Sequence, residues 1–192
     1  MRLSVEHVFG VKGKSAGVAV LCADKHGWAE EVRRDVWSPV YGKKEAISVL
    51  NFGTVAALPA EFVTLLLPLE EIHGIPGSLI RIGEQGPATS VKTYLYSTTS
   101  EECSFFFAEK GRAWTQGKLS SDAEFVCWQT KRDNGDQLLI FCNGSYVEID
   151  GRRALGCNRT VSHCEMVISN GSKQAYGSEG EALVEEQSAS NP

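Results

Sequence analysis

At 192 residues, with 42% hydrophobic and 22% charged residues, the chain has the composition of a globular protein with room for one large β domain or two small ones. A net charge of −5 and a pI of about 5.4 leave no basic block to neutralise phosphates, so nucleic acid is excluded as the expected partner. The apolar run ending at Leu69 is too short to span a bilayer and is interrupted by Pro59 and Glu61, so no membrane span is expected.

Leu3, Val5, His7 and Phe9 recur with period two and predict a first strand, broken by Gly10 and Gly13. Ala16–Cys22 reads as a second strand, with Asp24-Lys25-His26-Gly27-Trp28 as its turn. Val32, Arg34 and Val36 alternate through Glu30–Trp37 and lead into Trp37-Ser38-Pro39-Val40-Tyr41-Gly42. Proline holds φ near −65° and glycine reaches angles that other residues resist, so two strands should meet at this corner with both rings side by side. The extended runs 46–52 and 60–67 read as the next strand pair, and the acidic, irregular stretch 70–77 as a boundary between sheets.

The second half reads as short strands near 79–82, 90–96, 104–108, 114–119, 123–131, 137–142, 146–149, 152–157 and 163–168. Between them lie Asp133-Asn134-Gly135-Asp136, Asn143-Gly144, Asp150-Gly151 and Asn170-Gly171, the chemistry of tight hairpins. The only helix-like stretch is 179–186. The prediction is an all-β fold with little helix, a large antiparallel β-sandwich of two sheets (supersandwich-like). Residues 1–186 form one domain, and 187–192 a flexible tail.

Motifs for catalysis are sparse. Gly10-Val11-Lys12-Gly13-Lys14-Ser15 lacks the spacing of a phosphate loop. His163 and Cys164 are neighbours on a strand and point to opposite faces, so they do not pair. The six cysteines form no CxxC pair, which argues against zinc, and several sit in apolar runs that suit buried free thiols. Neither a metal nor another cofactor is called for. The paired glutamates 30–31, 70–71 and 101–102 read as solvated surface, and the sequons at Asn143 and Asn170 double as turns. Aromatic side chains remain as candidate sugar platforms. Trp37 and Tyr41 at the corner come first, then Trp28 and Trp114 beside glycine turns, with Arg34 as a partner for an acidic group; Trp128 reads as core.

The order Trp37-Ser38-Pro39-x-Tyr41-Gly42, Leu58-Pro59-x-x-Phe62-Val63-Thr64-Leu65-Leu66, Phe105-Phe106-Phe107-Ala108, Trp114-x-x-Gly117, Ser121-Asp122-Ala123-Glu124-Phe125 and Asn143-Gly144-Ser145-x-Val147-x-Ile149-Asp150-Gly151 resembles the C-terminal β domain of heparinase II/III-like proteins. The resemblance runs over roughly residues 28 to 168. It implies a β-sandwich that accompanies an α/α toroid in polysaccharide lyases (carbon–oxygen lyases) acting by β-elimination on uronic-acid-containing chains. It further implies an acidic polysaccharide and a toroid, in the parent protein or a separate chain, as partners, and a periplasmic or secreted location. The family's paired histidines have no counterpart here; His7 is the one position that aligns with a histidine strand. The chain is therefore expected to be inactive alone. The alternative is a stand-alone carbohydrate-binding or structural interaction module.

Overall fold

A computed structural model describes residues 6–10, 16–23, 28–57, 61–71, 77–83 and 91–177. The helix-like stretch 179–186, the tail, His26 and His73 lie outside the described residues. Among the described residues every regular element is a strand: β1 (Glu6–Gly10), β2 (Gly17–Ala23), β3 (Ala29–Trp37), β4 (Glu45–Gly53), β5 (Val63–Leu69), β6 (Ser78–Ile82), β7 (Val91–Ser97), β8 (Glu101–Ala108), β9 (Trp114–Gln116), β10 (Leu119–Ser121), β11 (Phe125–Lys131), β12 (Gln137–Cys142), β13 (Gly144–Ile149), β14 (Arg152–Val161), β15 (Cys164–Ser169) and β16 (Ser172–Gly177). None of these residues forms a helix long and apolar enough to cross a membrane.

The centre is a seven-stranded antiparallel sheet ordered β16-β15-β12-β11-β8-β7-β6. Period-two alternation gives it two apolar faces. Phe106, Val126, Leu139, Phe141, Cys164 and Met166 face a four-stranded sheet, β14-β13-β10-β9, which closes the core with Trp114, Leu119, Val147, Leu155 and Val161. These two sheets form the expected sandwich. Tyr94, Tyr96, Cys103 and Cys127 face the other way, and a three-stranded sheet, β1-β2-β5, covers them with Leu21, Ala23, Val63, Leu65 and Leu67. A second, smaller core lies there. The chain passes from the three-stranded to the seven-stranded sheet between Leu69 and Ser78.

Turn chemistry places the hairpins. Asp150 and Gly151 have φ of 52° and 73°, Asn170 and Gly171 of 52° and 75°, the paired positive angles of a type I′ turn. The second of these turns leads into β16, a strand whose polar sequence Ser172-Lys173-Gln174 hides it from a hydrophobic pattern. Gly117 at φ 60° splits the expected strand 114–119 into the β9–β10 hairpin.

One pairing differs from expectation. β4 does not pair with β5; its partner is β3, from Ala29↔Gly53 to Trp37↔Glu45. β5 pairs with β2, from Gly17↔Leu69 to Ala23↔Val63. The tight corner makes the local hairpin cheap to close, whereas the almost wholly apolar β2 and β5 gain more by lying together over the central sheet.

Two of the motifs that carried the family resemblance prove to be halves of one bracket. The Asp122 carboxylate accepts hydrogen bonds from Ser145 N (2.7 Å), Ser145 Oγ (2.6 Å) and Tyr146 N (3.1 Å). Ser121 Oγ donates to the Tyr146 carbonyl and accepts from Ala123 N. Gly144 lies against Ala123 so closely that a Cβ would sit 2.5 Å from the Ala123 Cα. The bracket ties the crossing from β10 to β11 to the start of β13, so its role is structural.

Candidate functional site

The β3–β4 ribbon stands apart from the stacked sheets as a separate two-stranded sheet. Nine residues per strand make it about 30 Å long. Its tip is the Trp37–Gly42 corner. Lys43 N donates to the Val40 carbonyl at 3.1 Å, and Gly42 at φ 79° occupies the third position of that turn. Ser38 Oγ donates to the carbonyls of Val40 (2.9 Å) and Lys43 (2.8 Å) and closes the loop. The polar closure leaves the large side chains outside: Trp37 is 55% exposed, Val40 61%, and Tyr41 fully exposed.

Charge gathers at the same end. Lys43 pairs with Glu45 at 2.6 Å and Arg33 with Asp35 at 3.4 Å. Arg34 and Lys44 are exposed and have no ion-pair partner among the described residues. The tip thus offers two aromatic groups and one uncommitted cation, Lys44, on a chain that is acidic as a whole, with Arg34 three residues down β3.

The other sequence candidates do not converge there. Trp37 and Tyr41 share the tip, but no ring contact joins them among the described residues, against the expectation of rings side by side. Arg34 lies opposite Ser48, on the ribbon face away from Trp37, because it is an odd number of residues away. Trp28 is half-buried at the far end. Its ring lies 4.8 Å from that of Phe62, which in turn is 4.9 Å from Phe52, and this trio anchors the ribbon's base. Trp114 requires a correction: it is 4% exposed, stacks on Phe106 at 5.6 Å, and donates from Nε1 to the Ala123 carbonyl at 2.8 Å. Such a ring offers no face to a sugar. Strand β9 begins at Trp114 and turns it into the main core, and the chain reaches the exposed glycine turn only three residues later, at Gly117. Trp128 is half-buried against that core, with Nε1 donating to Gln137 Oε1 at 3.2 Å. His7 sits in β1 opposite Val20.

A second polar and aromatic surface was invisible in the sequence. On the face of the central sheet toward the three-stranded sheet, register lines up Lys92, Phe107, Phe125 and Cys142, with Arg81, Tyr94 and Phe105 in the adjoining row. Phe107 is 41% exposed, with its ring 5.1 Å from Phe125 and 6.0 Å from Tyr94. Glu61, entering β5, accepts a hydrogen bond from the Tyr94 hydroxyl and an ion pair from Lys92. Arg81 lies 6.0 Å from the centre of the Tyr94 ring. Only cross-strand alignment brings these residues together, and no local motif announces it.

Burial by itself would raise the Glu61 pKa. Hydrogen bonds from Lys92 and Tyr94, with the charges of Lys92 and Arg81, outweigh it and hold the carboxyl below its ordinary value. A depressed folded-state pKa means the contribution to stability is present above the unfolded value and is lost as pH falls through the folded one. Unfolding by denaturant should therefore show Glu61→Gln less stable than the parent at neutral pH, with the gap closing in acid. A gap that stays constant into acid would show that the Glu61 charge adds nothing.

His163 finds a thiol other than its neighbour. Its Nδ1 lies 3.9 Å from Cys142 Sγ, and its Nε2 lies 3.4 Å from Glu165 Oε2. Burial and the nearby Cys127 push the Cys142 thiol above its ordinary pKa. The thiol stays protonated at neutral pH, so the arrangement lacks the activated nucleophile that Cys–His chemistry needs. Among the described residues no group of three or more His, Cys, Asp or Glu side chains is placed to hold a metal ion.

No protein-family model matches this chain, and no curated protein matches it either.

Proposed function

We propose that the chain is a glycan-engaging β-sandwich domain of the heparinase II/III-like kind, working with an α/α toroid that performs β-elimination on a uronic-acid-containing polysaccharide. The observation that carries this reading is the ribbon tip, where the Trp37 and Tyr41 side chains stand in solvent on the same turn as the unpaired Lys44. Aromatic faces stack on pyranose rings, and uncommitted cations pair with carboxylates or sulfates. Such groups bind and orient an acidic chain; they do not remove its C5 proton. Elimination needs a base and an acid within hydrogen-bond reach of the sugar, and the reading assigns that to the toroid. The exposed Val32, Val36 and Ile47 of the ribbon supply apolar surface for a protein neighbour.

The test is titration of the purified chain with heparin, alginate and a neutral dextran. Binding to the acidic polymers, weakened by salt, is the expected result. Trp37→Ala and Tyr41→Ala should each weaken binding about tenfold, a loss of about 1.4 kcal/mol, without moving the melting temperature. Absence of binding to every uronate polymer at millimolar concentration would overturn the proposal. A second reading, a stand-alone carbohydrate-binding module, is favoured by the ribbon's separation from the stacked sheets. Unsaturated uronate, read by its ultraviolet absorbance, should form only when a toroid domain is added; binding with no such product under either condition selects the second reading.

A further inference from the structure

Four of the six cysteines sit in sulfur–sulfur contact, although all six are free thiols. Cys103 Sγ and Cys127 Sγ are 3.3 Å apart, and Cys157 Sγ and Cys164 Sγ 3.7 Å. The remaining two have other neighbours: Cys22 approaches Thr64 Oγ1 at 3.7 Å, and Cys142 approaches His163. The strands dictate the first pair. Cys127 lies opposite Phe105 and Cys103 opposite Gln129, so the two sit diagonally on one face of the β8–β11 ladder. The second pair joins β14 of the four-stranded sheet to β15 of the seven-stranded sheet, just across the turn between them.

We propose that Cys103 with Cys127, and Cys157 with Cys164, are two sites of intrachain disulfide formation. A disulfide needs sulfurs about 2.05 Å apart, so each pair must close by roughly 1 to 2 Å, within reach of a side-chain rotation and a small strand adjustment. The oxidant is a low-molecular-weight disulfide. One protein thiolate attacks it, forms a mixed disulfide and releases one small thiolate. The second cysteine gives up its proton and attacks the protein sulfur of the mixed disulfide, releasing the other small thiolate. Two protein thiols and one small disulfide become one protein disulfide and two small thiols. The half-buried Cys157 is the entry point of its pair, since Cys164 is fully buried. In the other pair both thiols are buried, so the small disulfide reaches them when the β8–β11 face opens locally, and the hydrogen bond from Cys103, which lowers the Cys127 pKa, favours Cys127 as the attacking thiolate. The first bridge pins two central strands beneath the smaller core. The second ties the two sheets of the sandwich together.

Incubation of the folded chain with oxidised glutathione, followed by thiol titration in denaturant and non-reducing peptide mapping, tests both bridges. The expected count falls from six free thiols to two, Cys22 and Cys142, with linked peptides holding 103 with 127 and 157 with 164. The oxidised chain should melt higher than the reduced one and return to the lower value with a reductant. Cys103→Ala should leave Cys127 alkylatable under the same oxidation, while the 157–164 link still forms. If that variant does not fold, the mapping of the parent chain decides. Absence of a given linked peptide, with both its cysteines alkylated, overturns that bridge. Six alkylatable thiols, links to Cys22 or Cys142, or links between chains overturn the proposal as a whole.

Discussion

Trp114→Ala is expected to destabilise the chain by about 4 kcal/mol, the middle of the range for deleting a large buried aromatic side chain. Two losses add. The first is packing: the ring is 4% exposed, stacks on Phe106 and faces a core that includes Val126, Phe141 and Val147. The second is polar: the Ala123 carbonyl loses the Nε1 donor at 2.8 Å inside a buried region, and an unmade hydrogen bond there carries its full desolvation cost. For a chain of this size the melting temperature should fall by about 8–16 °C. On the proposed function, whatever fraction remains folded should bind acidic polysaccharide with the affinity of the parent, because the ribbon tip is untouched. Trp37→Ala should do the reverse, weakening binding and leaving the melt in place. A shift below about 2 °C for Trp114→Ala would show that the ring is not the core element described.

Gly144→Ala is the second large effect, about 3 kcal/mol, at the upper end of the usual cost of overpacking. Gly144 does not have a positive φ, so the backbone tolerates a side chain there. Space does not. An added Cβ would lie 2.5 Å from both Cα and Cβ of Ala123 and 2.8 Å from its backbone nitrogen. Ala123 cannot give way. It is fully buried, and its backbone nitrogen is held by Ser121 Oγ while its carbonyl is held by Trp114. The adjustment must therefore spread into the Asp122 bracket and loosen the three hydrogen bonds on that carboxylate. Gly156→Ala is the control. Its added Cβ would meet the side chain of Arg153, nearest at 3.1 Å, and a flexible arginine can move. Chemical denaturation of the two variants should separate them clearly, and equal stabilities would count against rigid packing at Gly144.

Part of the candidate site was legible in the residues themselves. Ser38, Pro39 and Gly42 specify a turn through local backbone preferences, and that turn forms between β3 and β4 as expected. Its exposure also has a local reason, since Ser38 satisfies the turn carbonyls without help from the rest of the fold. Trp28 and Trp114 looked alike beside their glycine turns. One rests on Phe62 at the ribbon base, and the other is sealed between the four-stranded and seven-stranded sheets. The side chain cannot distinguish these fates, because burial is set by strands distant in sequence. The Glu61–Lys92–Tyr94 grouping was hidden for the same reason: residues 61 and 94 are 33 apart and meet only when β5 lies over β7.

By itself, the sequence determined the class of fold. Period-two alternation and the Asp150-Gly151 and Asn170-Gly171 turns depend on backbone angles over a few residues, and they dictate antiparallel hairpins whatever surrounds them. Only the tertiary structure decided that β5 leaves β4 for β2, that Trp114 packs inward while Trp37 stays in solvent, and that four cysteines stand in two pairs. Those outcomes depend on which apolar faces cover one another. That is a balance of buried area between distant segments, and no short stretch of residues contains both sides of it.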